Sequence, residues 1–272
     1  MAADGQARTA ELVQILVPST DAYVRLWGPF VFYLDKYWPD RPYALVVGAN
    51  TKEFSLPGAR VVVTRPDLPW GLHFRELLAQ VEAEFVLVMM PDYFLTDRTD
   101  TASIMRAAEL AGDADATSVR LVPSPRPRGA RAGQDFVTIE PRALYSTSTV
   151  ATVWRTRRLM GILQPDDTPW TFERRGHKRR EVSEVLFSAR RALIHYDPAG
   201  ALSRGKVTLR WRHRLERDGM GELLGDWPLM TLRQTVGLGV RSVLFNVAMT
   251  TSPRLVAWSY DVLEGVEKRV TL

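Results

Sequence analysis

The stretch EFVLVMMPDYF, Glu84–Phe94, carries six consecutive apolar residues, Phe85 to Met90, that stop at Pro91. It then delivers one carboxylate, Asp92, beside an aromatic, Tyr93. A short apolar run closed by proline is the pattern of a strand buried on both faces of a parallel sheet. LVQILVPST (Leu12–Thr20) and YALVVGAN (Tyr43–Asn50) have the same form, each apolar and then ending in small polar residues, and ARVVVTRP (Ala59–Pro66) is a third such run. Helical patterns lie between them. AYVRLWGPFVFYLDKYW is aromatic and predicts a helix broken or kinked near Gly28–Pro29. WGLHFRELLAQVEA is amphipathic, and TASIMRAAELAGD follows Asp92, with caps expected within Thr99–Thr101. Strand and helix thus alternate over the first ~115 residues, which predicts right-handed crossovers and a mixed, mostly parallel α/β sheet flanked by helices. Ligands of such sheets bind beyond the carboxyl ends of the strands. Ser19, Thr20, Asp21, Asn50 and Asp92 are expected to gather there.

Composition narrows the chemistry. The chain has 272 residues, no cysteine, four scattered histidines and a net charge of +5. Disulfides and thiolate metal sites are excluded, and no histidine pair has zinc-site spacing. The basic excess favours an anionic partner without choosing among nucleic acid, acidic lipid and a phosphorylated small molecule. No nucleic-acid-binding motif accompanies it, so no nucleic-acid partner is expected. The polar start lacks an apolar leader core, and no run reaches the roughly 20 apolar residues of a membrane span. A cytoplasmic protein is expected, with the inner membrane face as the alternative location. There is no GxGxxG and no P-loop.

Further along, TSVRLVPSP, FVTIE and ALYSTSTVATVW read as strands, and RPRGARAG (Arg126–Gly133) as a basic loop. A helix is expected near Thr156–Leu163. In DDTPWTFERRGHKR, Thr168 is placed to cap a helix with Pro169 in its first turn. Trp170 and Phe172 flank Glu173. A carboxylate against aromatic surface is partly desolvated, which raises its pKa toward that of a general base. Arg174, His177, Lys178 and their basic neighbours could meet phosphate or acceptor, or form a solvated helix face. Asp166 and Asp167 suit the positive end of that helix better than a metal. Trp70 could stack on a sugar or base, or anchor a helix start. Tyr145 and Trp154 are expected in the core. From about Glu216 the chain reads as helical, and PLMTLRQTVGLGVRSVLFNVAM has an apolar face suited to the domain, a second subunit or a membrane surface.

The series ILVPSTDAYVRLWGPFVFYLDKYWPDRPY, DLPWGLHFRELLAQV, EFVLVMMPDYFLTDRTDTASI, RLVPSPRP, STSTVATVWRTRRLM, TPWTFERRGHKR and YDPAGALSRGKV resembles, in order, a bacterial GT-A-fold glycosyltransferase-like family of polysaccharide gene clusters. It spans roughly residues 12 to 210. The resemblance implies a nucleotide-sugar-binding catalytic domain over 1–215 and a helical extension over 216–272. It implies a donor site near Ser19, Thr20, Asp21, Asn50, Trp70, Asp92 and Tyr93, with Glu173 as the base of an inverting transfer. A glycan, lipid-linked or secondary-metabolite acceptor would lie toward Trp170, Arg174, His177 and Lys178. Two departures stand out. The family pattern has two adjacent acids before Tyr-Phe-Leu, where this chain has Pro91 and Asp92, and a glutamine is expected near Val150. A divalent cation, Mg or Mn, would have Asp92 as its one carboxylate, or arginines would replace it. The alternative implied is a degenerate relative acting as a scaffold in cell-surface assembly. The C-terminal helices could join copies of the chain.

Overall fold

The computed structural model of the chain describes residues 12–51, 54–127, 134–225, 227–252 and 255–256. Its strands are β1 (Val13–Val17), β2 (Leu45–Ala49), β3 (Arg60–Val63), β4 (Phe85–Val88), β5 (Ser118–Arg120), β6 (Phe136–Thr138), β7 (Thr152–Arg155) and β8 (Leu186–Ala189). A two-residue hairpin, β9 (Leu202–Ser203) with β10 (Lys206–Val207), follows. The helices are α1 (Val24–Tyr37), α2 (Trp70–Ala79), α3 (Thr101–Asp113), α4 (Thr156–Ile162), α5 (Pro169–Arg175), α6 (Leu209–Arg217) and α7 (Leu232–Thr251).

The first eight strands form one sheet in the order β3-β2-β1-β4-β7-β5-β8-β6. β1 to β4 run parallel, with Ile15 beside both Leu45 and Leu87. β7 is antiparallel between β4 and β5, and β6 is antiparallel at the far edge. This is the mixed, mostly parallel sheet flanked by helices that the alternation predicts.

The period of two sorts the side chains into two cores. Ile15, Val17, Phe85 and Leu87 face one, shared with Trp27, Phe30 and Tyr33 of α1 and Trp211 and Leu215 of α6. Leu16, Val86 and Val88 face the other, against Phe74 and Leu77 of α2, Leu159 of α4 and Phe172 of α5.

α1 is not broken at Gly28–Pro29. Pro29 lies inside one continuous helix, which a turn of 3-10 helix, Asp21–Tyr23, precedes. Burial of Leu26, Trp27, Phe30 and Leu34 outweighs the lost backbone bond. Asp100 caps α3, its carboxylate accepting from the backbone of Ala102 and Ser103. Trp154 is core as expected, but Tyr145 is only half-buried. The expected boundary at 215 falls inside α6, whose Trp211 and Leu215 are buried. Tyr33 Oη also donates to Asp218 Oδ2 at 2.7 Å, tying the end of α6 to α1. Beyond it, the strand-like stretch 227–230 is zipped to β10 by Val207 N–H on Pro228 O and Met230 N–H on Val207 O. Residues 128–133, which hold most of the basic loop, lie outside the described residues.

Candidate functional site

Because β1, β2 and β4 run parallel, their carboxyl ends meet at one edge. Two adjoining cavities open there, of about 650 and 450 Å³. The larger is lined by Thr20 after β1, Asp92 and Tyr93 after β4, Trp70 at the start of α2, Trp170 and Glu173 on α5, and Arg204 at the β9–β10 turn. The smaller is lined by Tyr145, Ser148, His195, Tyr196 and Phe245 of α7. Tyr93, Val150, Glu173 and Pro198 belong to both walls.

Glu173 is fixed by its helix and by a loop. Thr168 Oγ1 accepts from Thr171 N–H while Thr171 Oγ1 accepts from Thr168 N–H, so both ends of this capping box are made around Pro169. One turn on, Glu173 Oε1 accepts from Thr149 N–H and Thr149 Oγ1, both at 2.8 Å, and from Ser148 Oγ at 3.5 Å. No hydrogen bond from a described residue reaches Oε2. Burial raises the carboxyl's pKa, while the Thr149 and Ser148 bonds and the charge of Arg120 pull it back. Arg120 is itself buried, its guanidinium donating to the carbonyls of Ser124, Tyr145 and Pro125 at 2.9, 3.1 and 3.2 Å. The result is a carboxylate held by one oxygen, with no described residue bonded to the other.

Asp92 is positioned by a turn that has no room for another side chain. Ala201 N–H donates to Asp92 O at 2.6 Å, and Gly200 N–H to Asp197 O at 2.8 Å. Gly200 has φ +67°, and a Cβ there would lie 3.2 Å from Asp92 Oδ2. Both the backbone and the close approach therefore require glycine. Burial lifts the Asp92 carboxyl from 3.8 to about 6, its own backbone N–H acting the other way.

The aromatic rim has its own supports. The Trp70 ring lies 5.2 Å from Phe74 and 5.9 Å from Phe172. Trp170 is 69% exposed, a large apolar face at the mouth of the cavity. Tyr93 stands edge-on to Tyr196 at 5.0 Å on the dividing wall.

Several expected site residues have other work. Ser19 is buried, its Oγ accepting from Trp27 Nε1 at 2.8 Å, and its carbonyl accepts from His73 Nε2 at 2.7 Å. Asp21 Oδ1 accepts from Asn50 N–H at 2.9 Å and Asn50 Oδ1 from Asp21 N–H at 3.3 Å, a clasp joining the loops after β1 and β2. Of that group only Thr20 lines the cavity. Arg174, His177 and Lys178 line neither cavity, and Arg174 Nε donates back to Trp170 O at 3.4 Å. Their neighbours are structural. Arg179 pairs with buried Asp167, and Arg180 pairs with Glu184 and covers the Trp154 ring. Asp167 thus serves Arg179 and Gln164 N–H, and Thr168, not the acidic pair, caps α5.

Arg204, Thr149 and Arg120 carry no local signal of their place at the site. Arg204 sits at φ +53° in a two-residue hairpin too short to show in hydropathy, and the Ser148–Thr149 clamp is far from Glu173 in sequence. A divalent cation here would have Asp92 as its one carboxylate and would draw its remaining ligands from phosphate oxygens and water. Among the described residues no three of His, Asp and Glu come together, and Asp92 is the one carboxylate at the tip of β4.

No family model matches the sequence, and no curated protein matches it. Solved structures give distant likenesses. S. aureus TarS 1–349 in complex with UDP-GlcNAc is 14% identical with a TM-score of 0.46, covering 68% of this chain and 57% of that one. An apo UDP-glucose pyrophosphorylase is 9% identical with a TM-score of 0.43, covering 68% and 92%. The chain therefore spans less than two thirds of the TarS fragment. Likeness of this degree identifies neither a family nor an activity, and the chemistry rests on the two cavities and the carboxylate between them.

Proposed function

We propose that the chain is a nucleotide-sugar-dependent glycosyltransferase of GT-A-like architecture. The observation that carries this reading is Glu173, a half-buried carboxylate with one oxygen clamped, standing on the wall shared by two cavities. A group transfer between two bound molecules needs such a place, since donor and acceptor must meet across one catalytic group.

In this reading the donor fills the larger cavity. Its base and ribose lie toward Thr20, Trp70 and Asp92, and its diphosphate toward Arg204. The acceptor enters the smaller cavity among Tyr145, His195 and Tyr196. Glu173 takes the proton of the acceptor hydroxyl as that oxygen attacks the anomeric carbon, and its raised pKa suits it to the task. The sugar gains oxocarbenium character and the leaving diphosphate gains charge, which the Arg204 guanidinium offsets. A base on the acceptor side, opposite the leaving group, gives inversion. No step runs through a metal.

Glu173→Gln tests this. It keeps the clamp's geometry and removes the base, so donor affinity should be unchanged. Release of nucleoside diphosphate should fall at least about 100-fold. A Gln variant as active as the parent removes Glu173 as the base. One observation favours a second reading, a binding protein that has lost turnover: Pro91 leaves a single acid at the tip of β4. Nucleotide binding by the parent chain with no release from any donor would select it.

A further inference from the structure

α7 presents two opposite faces. Leu238 and Phe245 line the larger and the smaller cavity, and Met249 is buried. The far side carries Leu232, Val236, Val240, Val243, Leu244 and Val247, each between 53% and 71% exposed. These spacings of three and four residues form one continuous stripe along the helix. Such a contiguous exposed apolar stripe is the mark of a docking surface.

Charge decides what covers it. Residues 227–260 include Arg233, Arg241 and Arg254 but no Asp or Glu. Beside the first turns of α7 lies a cleft of about 520 Å³ lined by Arg204, Lys206, Arg233 and Gln234. Among the described residues none of these three cations is ion-paired with a carboxylate, and Lys206 Nζ reaches only Gln234 Oε1, at 3.5 Å. A second copy of the chain would bring Arg233 and Lys206 a surface with no acid of its own along the stripe, and the stripe offers it no aromatic anchor. An anionic lipid surface complements both features, acyl chains for the valines and leucines and phosphates for the basic cleft. No described helix is long and apolar enough to cross a membrane, so α7 would lie in the surface rather than span it.

We infer that α7 is an interfacial helix. Its Leu232–Val247 stripe rests in the headgroup boundary of an anionic bilayer, and Lys206 and Arg233 take the lipid phosphates. The helix then forms a roof between the bilayer and the two cavities. This goes beyond the transferase reading and does not rest on it, because its test needs no turnover.

The test is co-sedimentation of the full chain with phosphatidylcholine vesicles, alone and mixed with phosphatidylglycerol. The expected result is at least about tenfold more binding to the mixed vesicles, weakening as salt rises. Val243→Asp with Val247→Asp, both exposed, should lower that binding at least about tenfold with an unchanged melting temperature. Should that pair disturb folding, Lys206→Gln with Arg233→Gln should still lower binding several-fold and flatten its salt dependence. No binding to either vesicle overturns the inference. So does a dimer in light scattering that the Val243→Asp, Val247→Asp pair dissolves, since a second copy would then own the stripe.

Discussion

Asp92 should weaken the empty protein while serving its ligand, and the size of that effect follows from its surroundings. Burial holds its carboxyl at about 6 against the ordinary 3.8. At ~1.4 kcal/mol per pKa unit, ionised Asp92 costs the folded state about 3 kcal/mol when fully charged. The sign follows from proton binding. Between the two pKa values the folded state holds a proton that the unfolded state has lost, so stability rises as pH falls through 6 toward 3.8. The cost is therefore full above about pH 7, about half of that near pH 5, and nearly gone at pH 4. Asp92→Asn removes the charge and keeps the shape. At pH 8 the unliganded variant should melt about 6 °C or more above the parent, by the usual relation for a chain of this size. At pH 4 the two should melt together. The same variant should bind nucleotide-sugar more weakly, because a carboxylate that accepts from ligand hydroxyls is gone. Scanning fluorimetry at pH 8, 5 and 4 reads the whole profile. A variant less stable than the parent at pH 8, or an advantage as large at pH 4 as at pH 8, would refute the burial argument.

Three further outcomes are expected. Gly71→Ala would put a Cβ 2.0 Å from the Gln164 carbonyl oxygen, so it should destabilise by about 3 kcal/mol in urea unfolding, and equal stability would mean that the 164–167 turn yields. Asp167→Ala removes the carboxylate paired with Arg179, leaving it the Ile162 carbonyl, and strips Gln164 N–H of its acceptor; it should cost about 2 kcal/mol or more, with the midpoint of unfolding as the check. Arg204→Ala should weaken nucleoside diphosphate binding about tenfold and leave the bare nucleoside unaffected, and equal losses for both would move the diphosphate elsewhere.

The parallel half of the sheet was legible because its signals are local. β1, β2 and β4 are apolar runs that stop at proline or small polar residues, and the stop itself put Thr20 and Asp92 at the cavity. The other half is written in long-range pairings. TSVRLVPSP, FVTIE and ALYSTSTVATVW do hold β5, β6 and β7, but nothing local in them says that β7 enters antiparallel between β4 and β5 or that β6 takes the far edge. Glu173 was visible from its cap and its aromatic neighbours, but its clamp, Thr149, lies on a loop that only the fold brings near. The basic run after it shows how little charge alone says about location. Composition records charges but not their partners, and here Asp167 and Glu184 claim Arg179 and Arg180. Likewise Ser19, Asp21 and Asn50 are the small polar residues that end strands, and the same chemistry that binds a ribose can fasten two loops. Arg204 has no sequence signal because a hairpin of two-residue strands leaves no trace in a hydropathy pattern.

The central claim, that a nucleotide-sugar occupies the larger cavity, is tested most directly by calorimetric titration of the parent chain with nucleoside diphosphates and their sugar conjugates, each with manganese and with EDTA. The account predicts saturable binding for one nucleobase, retained in EDTA and lowered by Arg204→Ala. Binding by none of the panel, or binding indifferent to Asp92→Asn and Arg204→Ala alike, would contradict it.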